Sequence, residues 1–84
     1  MSVLVFYKSE SEHARAVTEF LHDFEQRTSR VLETVDPESP RGVQLCELYD
    51  IVDYPTIIAT NEDGQLRNSW RGILPTINDV SYYV

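Results

Sequence analysis

The sequence predicts an α/β fold of the order β-α-β-α-β-β-α, with a four-stranded mixed sheet and helices on both faces. Three observations predict it. "SVLVFYK" at 2–8 is a near-continuous β-prone run, as expected of a strand covered on both faces, and an amphipathic helical stretch follows it directly. "RVLETVD" at 30–36 is a second β-prone segment; a strand reached through a helix lies parallel to the first. "PTIIAT" at 55–60 leads through "NEDGQ" into "QLRNSWRG". Asp63-Gly64 in that turn marks a hairpin, because glycine accepts the positive φ of tight hairpin turns.

Each element has its own signals. In the first helical stretch, Ser9 followed by Glu12 fits a capping box. Val17, Phe20, Leu21 and Phe24 recur at i, i+3, i+4 and i+7, which makes one apolar face. In the second strand Val31, Glu33 and Val35 alternate against Leu32 and Thr34. Ser39 and Pro40 occupy the N-cap and first position of a second helix over 40–50, with Leu45, Leu48 and Tyr49 as its core face. Thr56–Thr60 is apolar, β-branched and uncharged, so it reads as a central strand. Thr76 and Asp79 predict a capping box for a short last helix, with Ile77, Val80 and Val84 turned inward.

The 84 residues are expected to form one small domain. No apolar run reaches the length of a membrane span, and no signal peptide is visible. Fourteen acidic side chains against 7 basic ones give a net charge of −7. Lys8 is the one lysine and the arginines are scattered, so the basic stripe that nucleic-acid binding needs is missing. One cysteine, Cys46, makes no internal disulfide, which suits a reducing cytoplasm.

Pro55 opens a strand that otherwise reads as central, although proline is confined to strand starts, edges and bulges. The segment "YDIVDYPTIIATNEDGQLRNSWRG" resembles the thioredoxin family's Tyr-x-Ile-x-x-x-Pro-Thr stretch, here Tyr49, Ile51, Pro55 and Thr56, with Gly72 closing the next strand. The resemblance runs from Val3 to Val80 and implies a minimal thioredoxin fold of glutaredoxin size. It implies a cis-proline beside the active site, with the peptide groups of Tyr54 facing outward. That family's chemistry sits at Cys-x-x-Cys, where the first strand meets the first helix and the helix N-terminus lowers a thiol's pKa. Here the junction reads "YKSESEHA". Counting from Val17, Phe20 and Phe24 puts Glu10 and His13 at the two cysteine positions; the capping-box reading puts Ser9 and Glu12 there. Both alignments lack a thiol, and neither serine nor carboxylate exchanges with a disulfide.

The leading functional reading is a redox-inactive binding or interaction module. Its groove is formed by Lys8, Ser9, Glu10, Glu12 and His13 with Tyr54, Pro55 and Thr56, and its ligand is an extended peptide or another protein. No catalytic residue, metal site or cofactor is assigned. His13, flanked by Glu10 and Glu12, has the residue types of a general base but no nucleophile beside it. The two histidines, His13 and His22, lack metal-ligand spacing. Cys46, placed mid-helix, reads as a small hydrophobe. Glu10, Glu12, Asp50 and Asp53 are expected around the groove's mouth, where they would repel glutathione, itself an anion. The enzyme alternative is a glutathione-linked oxidoreductase or transferase using Ser9 or Tyr7 as activating group. A third reading is a structural subunit that packs through the tyrosines of "SYYV".

Overall fold

The computed structural model describes residues 2–84. Its elements are β1 (Ser2–Phe6), α1 (Ala14–Thr28), β2 (Glu33–Val35), α2 (Pro40–Tyr49), β3 (Thr56–Thr60), β4 (Leu66–Arg71) and α3 (Ile77–Ser81), in the expected order. They form one four-stranded sheet ordered β2-β1-β3-β4. β1 and β2 run parallel, with Phe6 opposite Val35, while β3 is antiparallel to both β1 and β4. The two central strands are therefore β1 and β3, and both are almost wholly buried.

Strand alternation sorts the core into two layers. Val3, Val5, Ile57 and Ala59 face one way and pack with Val17 and Phe24 of α1 and Val80 of α3. Leu4, Phe6 and Ile58 face the other way, with Val35 and Ile51, and receive Leu45, Cys46 and Tyr49 of α2. Helices thus cover both faces. The fold class holds.

Several local expectations are corrected. α1 begins at Ala14, and its N-cap is His13, whose side chain makes no cap bond, so the Ser9–Glu12 capping box does not form. Those residues instead make turns that carry the chain from β1 to α1. β2 is shorter than 30–36, and Val31 is exposed ahead of it. The core face of α2 is Gly42, Leu45, Cys46 and Tyr49, while Leu48 is 70 % exposed. Gly42 is required there, because a Cβ would collide with the Asp36 carbonyl. At the C-terminal end Val84 is exposed; Tyr83 packs inward instead, edge-on against Trp70 with ring centres 5.8 Å apart.

Other details follow the sequence directly. The Ser39 hydroxyl accepts from the Gly42 N–H at 2.9 Å, with Pro40 at the start of α2. Thr76 and Asp79 form the reciprocal capping box of α3. Gly64 has φ 81° in the hairpin turn, where the Asn61 side-chain oxygen accepts from the N–H groups of Asp63 and Gln65. The Tyr49 hydroxyl donates to the Gly64 carbonyl at 2.7 Å, and Arg71 donates to the last carbonyls of α2, those of Tyr49 and Asp50. These bonds tie the hairpin to α2.

Candidate functional site

The site lies at the end of the sheet where Phe6, Thr56 and Arg71 sit side by side. Two chain segments meet there. One is the stretch from Tyr7 to His13 that leaves β1. The other, Asp53 to Pro55, leads into β3.

The first segment is clasped around the peptide groups of Lys8. The Lys8 N–H donates to Nε2 of His13 at 3.2 Å, and the Ser11 hydroxyl donates to the Lys8 carbonyl. The Ala14 N–H then donates to the Ser11 carbonyl, which hands the chain to α1. Ser9, Glu10 and Glu12 are exposed within this stretch.

The second segment holds a cis Tyr54–Pro55 peptide. The Pro55 carbonyl accepts from the Gly72 N–H at 2.9 Å, which extends the β3–β4 pairing by one residue pair. The Thr56 hydroxyl donates to the Asp53 carbonyl. By contrast, the N–H and carbonyl of Tyr54 bond no other described residue.

Tyr54 joins the two segments. Its ring is half-buried against the core layer under α2, the Lys8 ammonium stands 5.3 Å from the ring centre, and its hydroxyl lies 3.6 Å from the Cys46 sulfur. Burial, reinforced by Cys46, pushes the Tyr54 phenol up to about 12. The sole thiol of the chain therefore sits beneath the groove residue rather than at the start of α1, where a helix N-terminus would activate it.

Beside this junction is a cleft of about 390 Å³ lined by Lys8, Ser9, Glu10, Asp36 and Glu38. Lys8 pairs with Glu38 at 3.7 Å. Both side chains are exposed, so the pair contributes little to stability. Of the predicted residues, the fold brings Lys8, Ser9, Glu10 and Tyr54 to this corner, and His13 closes the loop from within. Pro55 and Thr56 are buried. Asp50 and Asp53 do not line the cleft; Asp50 caps α2 in the left-handed region at φ 56°. Asp36 and Glu38 take their place. The signal for them was "DPES" directly before the cap of α2, a loop that the crossover returns to the end of β1.

Among the described residues, no group of three metal-ligating side chains converges, and no helix is long and apolar enough to cross a membrane. The chain matches no family model and no curated protein. Its architecture does match solved structures. Thioredoxin 1 from the thermophilic eubacterium Thermosipho africanus TCF52B aligns at TM-score 0.71 and 13% identity, over 99% of this chain and 93% of that one. A thioredoxin from Thermus thermophilus aligns at TM-score 0.64 and 14% identity, over 98% of this chain and 69% of that one. Identities this low speak to the backbone and not to the chemistry. With the sheet order, the two-faced helix cover and these alignments together, the chain has a thioredoxin-like fold.

Proposed function

We propose that this chain is a single thioredoxin-like domain that does not exchange disulfides. It acts instead as a binding module, taking an extended polypeptide along the groove between the Lys8–His13 loop and the Tyr54–Pro55 segment. The observation that carries this reading is the Tyr54 backbone, whose N–H and carbonyl have no partner among the described residues. A strand-like ligand satisfies both groups through main-chain hydrogen bonds.

The chemistry of the surroundings supports the same reading. The loop opposite Tyr54 carries serines and carboxylates, which cannot attack a disulfide. Glu10, Asp36 and Glu38 outnumber Lys8 at the cleft, so the site favours a neutral or basic peptide over glutathione. No cofactor enters the mechanism. A lone free thiol fits a reducing compartment such as the cytoplasm.

The test is a chemical-shift titration of isotope-labelled protein with a capped octapeptide of alternating valine and lysine, run beside a dithiothreitol-driven insulin-precipitation assay. The expected result is shifts at Tyr54 and across Lys8 to Glu12, with no acceleration of insulin precipitation. A silent spectrum at millimolar peptide, or accelerated precipitation, would overturn the reading. Shifts at the same residues with reduced glutathione would favour a glutathione-linked enzyme instead.

A further inference from the structure

The bond from the Lys8 N–H to Nε2 of His13 requires that this ring nitrogen be unprotonated, because an imidazolium has donors only. We propose that His13 is a pH-operated latch on the β1–α1 loop, closed when its imidazole is neutral and released when it is protonated. This is independent of whether the groove takes a peptide, since the latch is internal to the loop.

Geometry makes the release consequential. His13 is the N-cap of the 15-residue α1. Its ring reaches back across five positions to the residue that leaves β1, and so closes the loop on itself. Among the described residues, the only other side chain holding Lys8's peptide groups is Ser11, through the carbonyl. Protonation therefore leaves the Lys8 N–H without its partner. It also places a cation at the positive end of the α1 dipole, an unfavourable position that drives the ring outward.

The charged groups around this end of the fold act on both sides of that balance. Glu10 and Glu12 in the loop itself attract an imidazolium, whereas Arg15 in the first turn of α1 repels it. Across the cleft stand Asp36 and Glu38, the latter engaged with Lys8. Asp53 lies in the segment before β3, and Arg71 at the end of β4 is held by the α2 carbonyls. None of these carboxylates bonds His13, and none can replace it as acceptor while the ring occupies its place.

The experiment is a titration of the labelled protein from pH 8 to pH 5, following the His13 ring protons and the backbone amides together. The Lys8 amide is expected to shift with the same midpoint as the His13 ring. Its hydrogen-exchange protection, corrected for intrinsic rate, is expected to fall about fivefold across that midpoint, the loss of one ordinary hydrogen bond. His13→Gln keeps an acceptor that does not titrate, so it should abolish the step, whereas His22→Gln on the exposed side of α1 should leave it intact. A Lys8 amide that ignores the His13 midpoint, that follows a carboxylate midpoint, or that still shifts in the His13→Gln variant would overturn the latch. Because the wild-type protein carries the primary readout, poor folding of a variant does not protect the idea.

Discussion

Tyr54 concentrates the chemistry of the site into one side chain. It leads into β3, receives Lys8 on its ring and touches Cys46 with its hydroxyl. Its phenol is pushed up to about 12, first by burial and then by the hydrogen bond and charge of Cys46. An unfolded tyrosine ionises near 10. The sign follows from that pair of values: neutral Tyr54 contributes stability that is fully present below pH 10 and is lost as the pH rises toward about 12. In an ultraviolet titration, one of the 5 tyrosines should ionise near pH 12, and Tyr54→Phe should remove that step. Cys46→Ala should move the step to lower pH, because two of its causes disappear. If all five tyrosines ionise together near pH 10, burial of Tyr54 is not what the packing implies.

The elements differ in how openly the sequence announces them. Propensity alone predicts that Gly42→Ala strengthens α2 by about 1 kcal/mol. Packing predicts the reverse, since the new methyl meets the Asp36 carbonyl, which is backbone and cannot swing aside. The expected outcome of chemical denaturation is a net loss of about 2–3 kcal/mol. The same contact explains why the core face of α2 was misread. Glycine does not look like an anchor, so the apolar pattern pointed to Leu48 and left out Gly42. β3 and the caps at Ser39 and Thr76 were legible because local rules govern them. The Ser9–Glu12 pattern misled because the same residue types also suit turns, and the turn is closed by the bond from Lys8 to His13. Asp36 and Glu38 went unplaced for a different reason. Their approach to Lys8 is created by the parallel pairing of β1 with β2, not by anything adjacent in sequence.

At the scale of the whole molecule, 84 residues support two thin core layers, and each large side chain carries a large share of the stability. Phe24 is fully buried between α1 and the sheet. Phe24→Ala is expected to cost about 3–5 kcal/mol, against a total of about 4–13 kcal/mol for a chain of this length. Thermal unfolding of the variant should therefore begin many degrees earlier, and an unchanged midpoint would mean the layer is not packed as described. The arrangement around Tyr54 has a consequence for anyone who handles this protein. Lys8 is the sole lysine and Cys46 the sole cysteine, and they flank the same ring, one over its face and one at its hydroxyl. Amine-directed and thiol-directed reagents, which scatter over most protein surfaces, converge at side-chain level on this one corner. A dye on each would form a spectroscopic ruler across the Tyr54 ring, made entirely of native residues.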